Sequence, residues 1–185
     1  MATTVESVRR PARTSPSKQR LSPGLRKATI ILHILCGIGW MGLDIGLIVL
    51  LLTGYTTESA TEAAAAYNAV AIVIPWSVPI LATGMLLSGI LLGWGTKWGL
   101  LRYWWVFVKL VIGVVLNLLV WFALLPGVAD LETSDPTLTA DAVRDTIGSD
   151  VITSMFFPPI VSFAMLLISS ILSVYKPWKK TPCTT

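Results

Sequence analysis

Four long hydrophobic blocks, separated by short polar segments, dominate the chain. Two of the blocks contain no charged residue, and each of the other two contains one, Asp44 in the first block and Lys109 in the third. A helix that crosses about 30 Å of hydrocarbon needs roughly 20 apolar residues, whereas barrel strands are shorter and alternate. The pattern therefore predicts four transmembrane helices, at residues 28–53, 67–94, 103–125 and 151–175.

The predicted fold is all-α, an antiparallel four-transmembrane-helix bundle in one domain at residues 28–176. Helices satisfy their backbone hydrogen bonds internally and therefore tolerate lipid on all sides, and short loops between them favour an antiparallel bundle. Residues 1–27 are basic and rich in Ser and Pro, which predicts a disordered cytoplasmic tail and not a cleavable signal peptide. Residues 177–185 form a second cytoplasmic tail.

Helix-breaking residues mark where these spans should bend or end. Pro75 and Pro79 are expected to kink the second span, and Pro158 with Pro159 to bend the fourth. The Pro126–Gly127 pair is expected to end the third span.

The charges are segregated between the two sides of the predicted membrane. Both tails and the loop between the second and third spans are basic, whereas the other two loops are acidic. The positive-inside rule then places both termini and the loop between the second and third spans in the cytoplasm. The acidic loop at 127–150 is predicted to be extracytoplasmic, with one short amphipathic helix at 141–147. Because the net charge of +4 arises from this segregation, it gives no reason to expect a nucleic-acid partner.

Polar side chains inside the spans are the candidate functional residues. His33 and Asp44 share one face of the first helix, about 16 Å apart, and Lys109 and Asn117 lie on a matching face of the third. Ionisable residues within a membrane usually face the bundle or an aqueous cavity. Depth counting predicts an inner polar layer of His33 with Lys109, with Thr83 as a candidate bridge. The predicted outer layer is Asp44 with Asn117.

Each of these residues also has a purely structural interpretation. Lys109 is shallow enough to extend to the headgroups, with Trp105 as a cation–π neighbour. Asp44 lies near the outer boundary, where its carboxyl group can meet water or be protonated and hydrogen-bonded. His33 suits an interhelical hydrogen bond. No cofactor is predicted, although His33 with a methionine, or with His33 of a second protomer, would suffice for haem.

Aromatic and cationic residues cluster at the predicted cytoplasmic boundary, most densely at residues 95–110. Such a belt anchors helices and attracts anionic lipid headgroups. The expected partners are the bilayer and these headgroups, and a homo-oligomer is an open alternative. The candidate headgroup contacts are Lys97, Trp98, Arg102, Trp105 and Lys176.

Three strings carry a family resemblance: LSPGLRK at 21–27 followed by GWMG at 39–42, GTKWGLLRYWWVFVKL at 95–110, and LSVYKP at 172–177. Together they resemble small actinobacterial integral membrane proteins of unknown function, over about residues 21–177. The resemblance implies a four-span inner-membrane protein and brings no activity. Asp44 lies outside the family's pattern, which here marks His33, Trp40, Thr96, Trp98, Gly99, Arg102, Trp105, Lys109, Tyr175, Lys176 and Pro177.

Three functions remain as hypotheses. The first is a non-enzymatic accessory, scaffold or stress-associated membrane component. The second is a small transporter or a proton or ion path that uses Asp44, His33 and Lys109. The third is a haem- or quinone-binding protein centred on His33. An enzyme is not expected, because no nucleophile–base pair is apparent and the loops are too short to build a site outside the membrane. No metal-ligand spacing is apparent in the sequence.

Overall fold

The computed structural model describes residues 21–96, 99–128 and 139–176, which are helical apart from short connections. Three predicted segments lie wholly or partly outside these ranges. They are most of the first tail, all of the second tail and about half of the acidic loop. The candidate headgroup contacts Lys97 and Trp98 also lie outside the described residues.

Four helices of the described ranges are long and apolar enough to cross a membrane. They are α1 (Pro23–Thr56), α2 (Ala60–Gly95), α3 (Trp104–Val128) and α5 (Ser149–Tyr175). The all-α class and the four candidate spans are thus confirmed. The short helix predicted in the acidic loop is also present, as α4 (Ala140–Ile147).

The first two long helices, α1 and α2, begin earlier than hydropathy predicts, and a serine caps each of them. The Ser22 hydroxyl accepts a hydrogen bond from the Leu25 N–H, at 3.3 Å, and Pro23 occupies the first turn. A serine cap followed by proline is a favourable helix start. The Ser59 hydroxyl likewise accepts from the Glu62 N–H, at 3.4 Å. The α1–α2 connection is consequently only three residues long, between Thr56 and Ala60.

The third span does not end at Pro126, and that prediction is wrong. The helix continues to Val128 by way of a π-helical turn, Val120–Leu124, in which the Leu125 N–H donates to the Val120 carbonyl. Proline lacks the N–H that an α-helix would pair four residues earlier, and its ring crowds that carbonyl. A wider turn directly before the proline accommodates this mismatch within the helix.

The bundle has a basic end, where α1 begins and α2 ends, and an acidic end, where α1 ends and α2 begins. At the basic end, the Leu21 N–H donates to the Gly95 carbonyl, at 3.2 Å. Between the ends, α1 packs mainly against α2 and then against α5, while α3 packs against α2 and α5. The apolar core lies along these contacts and is densest toward the acidic end.

Arg144 of α4 closes the acidic end of the bundle. Its Nε donates to the Gly54 carbonyl, at 3.2 Å, and its Nη2 donates to the Thr57 carbonyl. Its Nη1 donates to the Asp141 carboxylate, at 2.9 Å. The last carbonyls of a helix lack intrahelical donors and carry partial negative charge. A guanidinium from α4 therefore caps the C-terminus of α1.

Candidate functional site

A cavity of about 520 Å³ occupies the basic half of the bundle, between α1, α2, α3 and α5. We call it the basic cavity. This volume is within the range of small-molecule sites. Its wall is mostly apolar, and no Asp or Glu is among the described residues that line it. The polar lining residues are Arg26, His33, Thr96, Lys109, Ser169 and Ser173.

His33 is held in this wall by one turn of α2. Its Nδ1 lies 3.0 Å from the Met85 carbonyl oxygen and 3.0 Å from the Ser88 hydroxyl. The Ser88 hydroxyl itself donates to the Gly84 carbonyl, at 2.6 Å. Because a carbonyl only accepts, Nδ1 is the nitrogen that carries the proton in this arrangement, and Nε2 is left as an acceptor. A Cβ at Gly89 would lie 3.1 Å from the imidazole, so α2 approaches the ring closely there.

Lys109 contributes a partly buried cation to the same cavity, from the opposite wall. Its ammonium group donates to the Ser173 hydroxyl of α5, which donates in turn to the Ser169 carbonyl, at 3.1 Å. The predicted inner pair of His33 with Lys109 is therefore wrong as a direct contact. Each residue has its partner on a different helix, and what they share is the cavity.

The predicted outer pair of Asp44 with Asn117 is also wrong. The Asp44 Oδ2 accepts from the Ser162 hydroxyl of α5, at 2.8 Å. The Asn117 Nδ2 instead donates to the Thr83 hydroxyl of α2, at 3.5 Å, so Thr83 does not bridge the inner layer. Equal depth along two helices does not make them neighbours, and α1 packs against α2 and α5 and not mainly against α3.

A second cavity, of about 270 Å³, surrounds Asp44 in the acidic half of the bundle. We call it the Asp44 cavity. Asp44 is only 2% exposed, and the Trp40 side chain, one helical turn earlier, also interacts with its carboxyl group. Trp40 and Leu116 line both cavities. The two cavities therefore meet at this pair of side chains near the middle of the bundle.

The remaining candidates of the aromatic and cationic belt occupy different positions. Trp105 lies in the wall of the basic cavity and is buried. Arg102 is partly buried, and its Nε has no hydrogen-bond partner among the residues that the structure describes. Lys176 is exposed just after α5. Headgroup contacts at Arg102 and Lys176 stay predictions.

Sequence reasoning missed two arginines. Arg26, at the end of the basic tail, was expected only to anchor the start of the first span, yet it lines the basic cavity. Arg144 was counted as the one cation of an acidic loop, and that isolation was itself the available signal. A single arginine on an amphipathic helix, near the carbonyl end of a long helix, is suited to capping that end.

Within the described ranges, no group of three His, Cys, Asp or Glu side chains is placed to hold a metal ion. The haem and quinone hypothesis for His33 stays a prediction.

The class that the fold and site define is a multi-pass helical membrane protein with two internal cavities. No family model matches the chain, and no matching protein is found among the curated proteins or the solved structures. The resemblance to small actinobacterial membrane proteins therefore stays a prediction.

Proposed function

We propose that this chain is a non-enzymatic accessory protein of the bacterial inner membrane that binds an amphiphile with an anionic headgroup in the basic cavity. The observation that carries this proposal is the lining of that cavity. It brings Arg26 and Lys109 together with apolar walls and with no carboxylate among the described residues. A cation inside a membrane protein is costly unless it is paired. An anionic headgroup would supply the missing counter-charge.

The positions of the two cations suit a headgroup above an apolar tail. Arg26 is exposed in the first turns of α1, and Lys109 is partly buried five residues inside α3. His33 lies seven residues beyond Arg26, or about 10 Å further along the helix. Below this layer the wall contains Leu116, Leu166 and Trp40. A phosphate or carboxylate between the cations would leave its tail among these apolar side chains.

The proposed topology is antiparallel, with the basic end and both termini in the cytoplasm. Charge segregation along the chain supports this orientation through the positive-inside rule. Two contacts support the antiparallel order. Leu21 at the start of α1 is bonded to Gly95 at the end of α2, and Arg144 joins α4 to the end of α1. A basic cavity on the cytoplasmic side faces the leaflet that is rich in anionic lipid.

Transport is the second candidate function, because Trp40 and Leu116 line both cavities. A displacement of these two side chains would join the basic cavity to the Asp44 cavity. A flux of protons, ions or small solutes across the proteoliposome membrane that is lost in Asp44→Asn would favour transport over ligand storage or scaffolding. Flux equal to that of empty liposomes would contradict the transport hypothesis.

Native mass spectrometry of the purified full chain tests the binding proposal. We expect the wild type to retain an anionic lipid through delipidation, and Lys109→Gln and Arg26→Gln each to reduce that adduct about fivefold or more. Lys27→Gln is the matched control, because Lys27 neighbours Arg26 on α1 and does not line the cavity. Equal anionic adducts in all four proteins, or adducts with zwitterionic lipid only, would contradict the proposal.

A further inference from the structure

We propose that the Asp44 cavity is a second ligand site, which binds a hydrophobic organic monocation such as an arylammonium that reaches it from the lipid phase. This site lies in the other half of the bundle from the basic cavity and selects the opposite charge. The two proposals are therefore tested separately, each with its own ligand and its own variants.

The first argument is the buried carboxyl group of Asp44, which has no basic side chain beside it among the described residues of the cavity lining. Asp44 is 2% exposed and its Oδ2 accepts one hydrogen bond, from Ser162, at 2.8 Å. No Lys, Arg or His is among the described residues that line this cavity. A buried carboxylate is costly without a compensating cation. The site therefore offers a place for positive charge.

The second argument is the backbone of the same wall. Pro158 and Pro159 lie within α5, and proline has no N–H to donate to the carbonyl four residues earlier. The carbonyls of Ser154 and Met155 therefore lack their usual helical donors, and both residues line the cavity. The π-helical turn of α3 forms the facing wall through Val120, Ala123 and Leu124. Such turns occur frequently at functional sites.

The third argument concerns the body of the ligand and its route. The wall is almost wholly apolar, and Trp40 presents an aromatic side chain beside the carboxylate. An aromatic side chain next to a carboxylate suits an organic ammonium group. The rim includes Phe157, which is 67% exposed, and the exposed Leu119 and Ala123. These residues lie on α3 and α5, so the opening between the two helices faces lipid.

Isothermal titration of the full chain in nanodiscs of zwitterionic lipid tests this site, with benzyltrimethylammonium chloride as the probe. We expect the probe to bind the wild type saturably, and its affinity for Asp44→Asn to be lower by about tenfold or more. Asp150→Asn is the matched control, because Asp150 is an exposed carboxylate outside the cavity, and it should bind as the wild type does. Trp40→Leu keeps the carboxylate and should weaken binding about threefold or more.

A second measurement needs no variant. Neopentylbenzene has the shape of the probe without its charge, and we expect it not to displace the probe from the wild type at equal concentration. Circular dichroism and gel filtration show whether Asp44→Asn folds. If it does not fold, the comparison of the two compounds on the wild type tests whether the site selects positive charge. The proposal is overturned by absent binding to the folded wild type, by equal binding to Asp44→Asn, or by equal competition from the neutral isostere.

Discussion

Replacing Arg144 by alanine should destabilise the whole bundle, because this side chain caps α1 from α4. The guanidinium donates to the Gly54 and Thr57 carbonyls and to Asp141. A hydrogen bond to a charged group contributes about 1.5–3 kcal/mol, and a cation at a helix C-terminus about 0.3–1 kcal/mol. The Arg144 side chain is 20% exposed, so water would replace part of the lost interaction. We expect Arg144→Ala to lower the unfolding free energy by about 2–4 kcal/mol.

Two further variants separate the cap from the neighbouring ion pair. Asp141→Asn should cost about 0.5 kcal/mol or less, because the Asp141 side chain is 91% exposed and surface ion pairs contribute little. Arg144→Lys keeps the charge but loses the planar fork that reaches two carbonyls, and we expect it to cost about 1–2 kcal/mol.

Unfolding in mixed dodecylmaltoside and SDS micelles, followed by tryptophan fluorescence, measures these differences. Hydrogen exchange gives a local readout. The Thr57 N–H, which donates to the Thr53 carbonyl at 3.0 Å, should exchange faster in Arg144→Ala than in the wild type. An Arg144→Ala protein as stable as the wild type, or no more destabilised than Asp141→Asn, would refute the capping argument.

Three other predictions concern packing, polar contacts and topology. Gly54→Ala should lower the unfolding free energy by about 1–3 kcal/mol in the same assay, because the new Cβ would lie 2.8 Å from the Tyr67 ring. Gly42→Ala is the control and should not destabilise the protein, because no described atom lies within 4 Å of a Cβ added there. Asn117→Leu and Thr83→Val should show a coupling of about 0.6 kcal/mol in a double-mutant cycle, and purely additive effects would mean that their hydrogen bond contributes nothing. Glu58→Cys in a cysteine-free background should be labelled by an impermeant maleimide from the periplasm, and labelling only from the cytoplasm would reverse the proposed orientation.

Hydropathy predicted the four helices well because the property that selects them, apolar length, is local in the sequence. It placed the starts of α1 and α2 too late because their capping residues, Ser22 and Ser59, are polar. It also placed a helix end at Pro126, since sequence reasoning did not anticipate the π-helical turn that carries α3 past the proline.

The candidate site was predicted in its residues but not in its contacts. His33, Asp44 and Lys109 all line internal cavities, in agreement with the expectation that ionisable residues face inward. Their partners were assigned by equal depth, which does not tell which helices are neighbours. Serines supplied those contacts instead, Ser88, Ser162 and Ser173. A serine in an apolar helix often bonds its own backbone, so its sequence gives little sign of an interhelical role.

The position of Trp40 has a thermodynamic consequence for both cavities. Because its side chain and that of Leu116 belong to both walls, an occupant that displaces Trp40 on one side changes the shape of the cavity on the other. Two binding equilibria that share a movable wall are linked. Linkage is reciprocal, so the factor by which the proposed anion in the basic cavity would alter the affinity for the proposed cation beside Asp44 equals the factor in the opposite direction.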